Sequence, residues 1–245
     1  MKAIVLAAGT GSRLKHMTRE LPKAMIPLAG KPLLAYALGF ARELGCDRFE
    51  VVTGAHQEKV ETFLGALSLP GLSWVHNPRF LLGNIFSLGA ALGRVEESFL
   101  LLNTDHVYDR RIASRLQAQC QTELVAFCDQ DRPLGQDDMK AKADERGRLL
   151  RISKQLTEFD RGYVGMTYCP REALPTYRKA FDEVVQRVGD SAVVEMILGH
   201  LAEQRTPPLL GDISGVGWLE IDTPEEHACA EIQVREHPER YAVIA

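Results

Sequence analysis

The chain has 245 residues, of which 45% are hydrophobic, and its formal net charge is −4 at pH 7. This length and apolar content suit one large α/β domain with a sizeable core and exclude a disordered chain. The negative charge excludes a basic field that would attract nucleic acid or an anionic membrane, so a phosphate site must be local.

The cysteine pattern and the apolar runs bear on the cellular compartment. The five cysteines form no C-x-x-C pair, which indicates reduced thiols rather than a zinc site or a disulfide framework. The apolar run at residues 3–8 is too short for a signal peptide, and no small-residue cleavage site follows it before Arg13. No stretch of about 18 apolar residues occurs, so we expect a cytoplasmic protein without a membrane span.

The first predicted element is a buried strand at residues 3–8 that breaks into the loop Gly9-Thr10-Gly11-Ser12-Arg13. Such a loop presents backbone N–H groups with no side chain in the way, and Arg13 and Lys23 add positive charge, a combination that suits a polyphosphate. A Walker loop would need Gly-Lys-Ser/Thr here, and a dinucleotide fingerprint would need a third glycine at Leu14 and an acidic residue about 20 positions later. The loop fits neither pattern.

Strands and helices are then predicted to alternate. Apolar periodicity predicts helices at 32–44, 58–67 and 85–92 and strands at 49–53, 72–76 and 99–103, the last closed by Thr104-Asp105. This alternation predicts a parallel sheet with right-handed crossovers.

The regular alternation of strands and helices ends after about residue 122. We predict a strand at 124–128, a hairpin that joins 139–143 to 149–153, a strand at 163–169, and helices at 171–188 and 191–204. No linker separates this block, so residues 1–245 are expected to form a single domain in which about 122–215 is a mixed insertion that binds the acceptor.

The end of the chain is predicted to return to the sheet through a strand at 217–221. Thr223, Pro224 and Glu226 then form a capping box, which fixes Asp222 between a strand end and a helix start. Because Asp105 also follows an apolar strand, both carboxylates and the glycine loop should meet at one edge of the sheet. Two carboxylates beside a triphosphate predict a Mg²⁺ site. A simple helix-capping role stays open for Asp105.

The segments LAAGTGSRL and LPKAMIPLAGKPLL resemble the opening of the nucleoside-triphosphate transferase family, the nucleotidylyltransferases. The resemblance implies a Rossmann-like three-layer α/β sandwich with a mostly parallel sheet and a mixed β-hairpin insertion. It implies Arg13 and Lys23 as the catalytic cations and Asp105 and Asp222 as the metal-binding aspartates. The nucleotide would also contact the end of the first strand and its loop, that is Leu6, Ala7, Ala8, Gly9, Thr10, Gly11 and Ser12.

A second set of motifs resembles one group of enzymes within this family. The pattern from Asn77 through Asn84 to Ser87 looks like that of cytidylyltransferases acting on phosphocholine, inositol 1-phosphate or aminoalkylphosphonates. Residues 103–108, and Lys154 with Gly165, look most like the inositol-phosphate members. Asn77, Asn84 and Ser87 thus become candidates for nucleotide contacts, with a helix cap as the alternative for Asn84. Lys154 and Gly165 become candidates for substrate contacts, with an ordinary surface lysine as the alternative for Lys154.

The function expected from this resemblance is a Mg²⁺-dependent cytidylyltransferase that joins CTP to a small alcohol phosphate and releases pyrophosphate. A sugar-1-phosphate nucleotidylyltransferase with another triphosphate, and a non-catalytic nucleotide-sensing module, stay open as alternatives. The expected partners are CTP and a phosphorylated alcohol, without nucleic acid, and a homodimer is left open.

Lys23 is expected to be a solvent-facing loop residue that contributes little to folding. The acidic stretch at 129–138 is interpreted as a solvated loop, His106 is assigned no role, and Trp74 and Trp218 are placed in the core.

Overall fold

Strands and helices alternate through the first half of the computed structural model, which describes residues 1–244 apart from the side chain at position 16. The strands are β1 (Lys2–Leu6), β2 (Pro27–Leu28), β3 (Lys31–Pro32), β4 (Arg48–Thr53), β5 (Leu72–His76), β6 (Phe99–Asn103), β7 (His106–Tyr108), β8 (Val125–Asp129), β9 (Lys140–Ala143), β10 (Leu149–Ser153), β11 (Arg161–Cys169), β12 (Leu209–Asp212) and β13 (Trp218–Glu220). The α-helices are α1 (Leu33–Glu43), α2 (Gln57–Ala66), α3 (Ile85–Leu92), α4 (Ile112–Gln119), α5 (Leu174–Val188), α6 (Glu195–Glu203) and α7 (Pro224–Glu236). Within the described residues, no helix combines the length and the apolar character that crossing a bilayer requires.

A parallel core and an antiparallel extension make up the main sheet. Strands β6, β1, β4 and β5 lie side by side in that order and run parallel. On the far side of β6, β11 runs antiparallel and also pairs with β8 and with β9 of the β9–β10 hairpin. Strand β12 adds to β8 in parallel. The predicted fold, a Rossmann-like parallel sheet with a mixed hairpin insertion, is confirmed.

Alternate side chains of β1 enter two different apolar layers. Ala3 and Val5 are fully buried against α1, α2 and α4 on one face of the sheet. Ile4 and Leu6 point to the other face, where α3, α5 and α6 cover them. Because successive strand residues face opposite sides, a strand covered on both faces must be apolar throughout, as β1 is. The result is the three-layer arrangement.

A third apolar cluster fixes the segment after the glycine loop to the end of the chain. Leu14 and Val107 are fully buried there against Ile221 and against Ala230 and Val234 of α7. This packing places the carboxyl ends of β1 and β6 next to residue 222.

The last strand corrects the predicted return to the main sheet. Strand β13 pairs antiparallel with β7 in a separate two-stranded ribbon, with Glu220 opposite His106. The ribbon continues as a hydrogen bond of 2.9 Å from the Ile221 N–H to the Asp105 carbonyl. Strand β7 was not predicted, because it is only three residues long and starts within three residues of β6.

The other differences between the predicted and the observed elements occur where the sequence pattern is weak. Helix α4 and strand β12 were not predicted, and α6 starts at Glu195 rather than at residue 191. Trp74 is 37% exposed, which contradicts the predicted core position, because β5 is the edge strand of the sheet. The predicted capping box is present in full: Glu226 N donates to Thr223 Oγ1, and the Glu226 carboxylate accepts from the Thr223 N–H.

Candidate active site

The glycine loop turns sharply at Gly11, which has a φ of +68°, a conformation that favours glycine. A Cβ atom at this position would lie 2.9 Å from the Cβ of Lys23, so the absence of a side chain also lets the Lys23 segment approach. The Gly11 carbonyl accepts hydrogen bonds from the Leu14 N–H at 2.9 Å and from the Thr18 hydroxyl at 3.0 Å. The loop is thereby held open toward the solvent, with Gly9 and Thr10 exposed.

A cavity of about 380 Å³ lies over this loop and the carboxyl ends of β1 and β6, and we call it the large cavity. Most of the predicted nucleotide and metal residues line it, namely Leu6, Ala8, Gly9, Thr10, Gly11, Ser12, Arg13, Lys23, Asn84, Ser87, Asp105 and Asp222. Two predicted residues do not line it. Ala7 lies in the core with its N–H bonded to Val52, and Asn77 is 2% exposed.

Asn77 lies behind Ser87, which does line the large cavity. The Asn77 side-chain amide donates to the Ser87 hydroxyl oxygen at 3.0 Å, which leaves the Ser87 O–H as a donor toward the cavity. Asn77 therefore orients Ser87 from outside the cavity.

Asn84 directly precedes α3, but its side chain makes no capping hydrogen bond to that helix. Its Oδ1 instead accepts from the Val194 N–H at 2.9 Å, just before α6. Through this hydrogen bond, Asn84 joins the wall of the large cavity to the segment that begins α6.

The charged centre of the site is the ammonium group of Lys23, which contacts both predicted metal ligands. Lys23 Nζ lies 2.8 Å from Asp105 Oδ2 and also contacts Asp222 Oδ1, while Arg13 Nη2 lies 2.5 Å from Asp222 Oδ2. The expectation of a solvent-facing lysine is wrong, because Lys23 is only 9% exposed. Removing it would leave two carboxylates facing each other, so Lys23 also contributes to folding.

Asp105 has a second partner, His106, which sequence analysis left without a role. His106 Nδ1 lies 2.6 Å from Asp105 Oδ1, and its ring stacks on Trp218 at a centroid distance of 4.8 Å. Burial acts to raise the pKa of Asp105, but the charges of Lys23 and His106 outweigh it and hold that pKa well below the usual range. Burial likewise acts to lower the pKa of Lys23, and the two aspartates outweigh it and raise that pKa. Asp105 and Lys23 are therefore both charged at neutral pH.

The donor set fits the predicted Mg²⁺. One cationic group already contacts an oxygen of each carboxylate, so a single cation can be shared by Asp105 and Asp222. Among the described residues, no group of three or more acidic, histidine or cysteine side chains is placed to hold a metal. Two protein carboxylates completed by substrate phosphate oxygens are the usual arrangement for Mg²⁺.

A second cavity, of about 150 Å³, adjoins the first and shares Arg13, Asn84, Asp105 and Asp222 with it; we call it the small cavity. Both predicted substrate residues line it, the exposed Lys154 and the buried Gly165. Gly165 has a φ of +70°, and a Cβ atom there would lie 2.9 Å from the His106 ring. Glycine at this position thus leaves room for the histidine that contacts Asp105.

The rest of the small cavity is lined by charged side chains that were not predicted. Arg132 Nη2 donates to Asp138 at 2.6 Å and to Glu220 at 2.9 Å, and Glu195 at the start of α6 also lines the cavity. The stretch at 129–138 is therefore not simply a solvated loop, and Asp129 is only 3% exposed. No sequence signal marks these residues, because they reach the cavity from three distant parts of the chain: the loop at 129–138, the start of α6 and the end of β13.

Comparison with protein families gives a match that spans most of the chain. The model described as the MobA-like NTP transferase domain matches residues 3–206. The chain belongs to this family. The resemblance inferred from the glycine loop and Lys23 is thereby confirmed, as is the enzyme class, a nucleotidyltransferase.

Relatives and solved structures agree with the NTP transferase assignment. A protein from Aquifex aeolicus named bifunctional IPC transferase and DIPP synthase is 27% identical over 231 residues, covering 91% of this chain and 49% of that protein. A CMP-5'-(3-aminopropyl)phosphonate synthase from Streptomyces rubellomurinus is 28% identical over 256 residues, covering 100% of this chain and 40% of that protein. The chain thus spans half or less of the length of these two relatives.

A solved structure confirms the fold over nearly the whole chain. The inositol-1-phosphate CTP transferase from T. maritima superposes with a TM-score of 0.81 at 21% identity, covering 96% of each chain. At this identity the similarity supports the fold and leaves substrates to be argued from the site.

Proposed function

We propose that this NTP transferase is a Mg²⁺-dependent cytidylyltransferase that transfers CMP from CTP to a small alcohol phosphate and releases pyrophosphate. We further propose that residues 1–245 act as one domain, in which the segment at about 122–215 forms the acceptor side. The observation that carries the proposal is the junction of the two cavities at Arg13, Asp105 and Asp222. A triphosphate in the large cavity and a phosphate monoester in the small one would meet there.

The chemistry requires little from the protein beyond alignment and charge. A phosphate monoester is mostly doubly ionised at neutral pH, so its oxygen can attack the α-phosphorus of CTP without a general base. A new bond forms from that oxygen to the α-phosphorus, the bond from the α-phosphorus to the bridging oxygen breaks, and pyrophosphate leaves with the electron pair. Positioning and charge stabilisation supply most of the catalysis in such transfers.

Each cation then has a role that follows from its place. The exposed Arg13 at the end of the glycine loop would hold the departing pyrophosphate. Lys23, between the two aspartates, would reach the α-phosphate, where charge develops in the transition state. Asp105 and Asp222 would hold Mg²⁺, which when bound neutralises phosphate charge and brings the two substrates together.

Support for cytidine comes from two sources. Ser87 offers a hydroxyl donor in the large cavity, in the sequence pattern that looks like that of cytidylyltransferases. The relative from Streptomyces is named for a CMP product, and the T. maritima structure is named for a CTP transferase. The acceptor would accordingly be of the inositol 1-phosphate, phosphocholine or aminoalkylphosphonate type.

The test is a grid of four nucleoside triphosphates against inositol 1-phosphate, phosphocholine, aminoethylphosphonate and glucose 1-phosphate, scored by pyrophosphate release. We expect release with CTP and one of the first three acceptors, and its loss in an Asp105→Asn control. Release only with glucose 1-phosphate and another triphosphate would favour a sugar-phosphate enzyme. CTP binding without release from any acceptor would favour a sensing module.

A further inference from the structure

The small cavity meets the large one at Arg13, Asp105 and Asp222, and acids outnumber bases in the rest of its charged lining. Arg13 lies at its junction with the large cavity, where the acceptor phosphate must sit if the proposed function holds. Apart from His106 and the residues shared with the large cavity, its charged lining consists of four acids and two bases, namely the exposed Asp137, Asp138, Glu195 and Glu220 with Arg132 and Lys154. This mostly acidic lining is the part that would surround the non-phosphate head of an acceptor.

Glu195 differs from Asp138 and Glu220 in its partners. Asp138 and Glu220 share the Arg132 guanidinium, at 2.6 and 2.9 Å. No ion pair joins Glu195 to a basic side chain within the described part of the chain, although Lys154 is near enough for its charge to act on the carboxylate. A carboxylate that loses water without gaining a donor destabilises a complex, so a bound head group must supply that donor.

The position of Glu195 is fixed from the other cavity wall. It is the first residue of α6, and the N–H of the preceding Val194 donates to Asn84 Oδ1 at 2.9 Å. The Gly83 N–H also donates to the Asp190 carbonyl at 2.7 Å. These two hydrogen bonds tie the start of α6 to the loop before α3, so Glu195 is held where it lines the cavity.

This wall offers fewer aromatic faces than the cage around a quaternary ammonium group requires. Among the described residues the rings lining the small cavity are those of His106 and Tyr163. The His106 ring stacks on Trp218, and the Arg132 guanidinium lies 4.3 Å from the Trp218 ring centre. Recognition of trimethylammonium groups relies on several open aromatic faces around the cation.

We propose that Glu195 is the specificity-determining residue for the acceptor, and that it accepts hydrogen bonds from a head group carrying hydroxyls or a primary ammonium. A trimethylammonium head, which has no N–H or O–H, is selected against. This inference rests on the proposed function and narrows its acceptor class to phosphorylated polyols or primary amines.

The test compares the wild type with Glu195→Gln, and with Glu172→Gln as a matched control at an exposed position. Acceptor binding is measured by calorimetry with a CTP analogue that carries a methylene bridge between the α- and β-phosphorus atoms. We expect inositol 1-phosphate or aminoethylphosphonate to bind at least tenfold more tightly than phosphocholine. Glu195→Gln should weaken that binding about 10- to 100-fold, as expected for hydrogen bonds to a charged group, while Glu172→Gln leaves it unchanged.

The two head-group chemistries give different results with Glu195→Gln. A glutamine still accepts a hydrogen bond from a hydroxyl but no longer neutralises an ammonium group, so the loss is larger for an amine than for a polyol. Equal binding of phosphocholine, or unchanged binding of the preferred acceptor by Glu195→Gln, overturns the inference. Selective binding without pyrophosphate release from CTP would instead contradict the proposed function alone.

Discussion

The two cavities of this NTP transferase are built in different ways. The large cavity lies at the carboxyl ends of two parallel strands, and its floor is the backbone of the glycine loop. The small cavity is lined by charged side chains from the ribbon, from irregular segments and from the start of α6. Backbone groups recognise what all triphosphates share, whereas side chains can vary with the acceptor. If the proposed function holds, reaction type and acceptor choice reside in separate parts of the molecule.

The largest expected effect comes from removing Lys23, the buried cation of the large cavity. We expect Lys23→Met to lower kcat by about 10²- to 10³-fold, because it removes charge stabilisation at the reacting phosphate. We also expect a lower unfolding temperature, since Asp105 and Asp222 lose their shared partner. Steady-state kinetics and thermal unfolding measure the two effects, with Lys31→Met, an exposed lysine, as the control. If Lys23→Met turned over at the wild-type rate, Lys23 would have no role in the reaction.

Asn84 lies where the two cavities meet, and two substitutions there should have opposite effects. Asn84→Ala loses the acceptor of the Val194 N–H, so we expect the KM for the acceptor substrate to rise about tenfold while that for CTP changes less. Asn84→Asp keeps the accepting oxygen but adds negative charge facing a triphosphate, so the KM for CTP should rise instead. Two-substrate kinetics test both variants. Parallel changes in the two KM values would mean that Asn84 does not separate the cavities.

The smallest effect on catalysis is expected at Asp109, which is fully buried and follows β7 away from both cavities. Its carboxylate binds Arg111 at 2.6 Å and, near the end of the chain, Arg240 at 2.7 Å. We expect Asp109→Asn to lower the free energy of unfolding by about 1–3 kcal/mol with little change in kcat. Urea unfolding at pH 7 measures this loss.

The Asp109 effect should depend on pH with a definite sign. Burial acts to raise the pKa of Asp109, but its hydrogen bonds from Arg111 and Arg240 outweigh it and lower that pKa. The stabilisation is therefore present above the unfolded-state pKa of about 3.9 and lost as pH falls further, through the folded-state pKa. The difference in stability between wild type and Asp109→Asn should shrink only below about pH 4. A difference that shrinks between pH 6 and 8 would implicate another group.

The elements predictable from sequence are those with a strong local pattern. Strands β5 and β6 and helix α3 have the predicted bounds, because apolar periodicity and flanking polar residues mark their ends. The capping box at Thr223 is likewise a local signal. Helix α4 escaped prediction because only two large apolar residues, Ile112 and Leu116, mark its buried face and no side chain caps its start.

In the candidate site, too, only the residues that stand in a local sequence pattern could be predicted. Arg13, Lys23, Asp105 and Asp222 stand in recognisable patterns, and the structure brings all four together. How Asp105 and Asp222 meet was not predictable, because it depends on the antiparallel ribbon of β7 and β13 rather than on neighbouring strands of the main sheet. Glu195 and Arg132 carry no sequence signal, since only tertiary packing directs them to the cavity.

The ribbon of β7 and β13 makes the candidate site depend on the last part of the chain. The region matched by the family model ends at residue 206, so Asp222 and its capping-box helix lie outside it. A fragment ending there would keep the glycine turn and Asp105 yet leave Lys23 with a single acidic neighbour. The part of this transferase beyond residue 206 is thus no appendage: it completes the ionic core of the molecule.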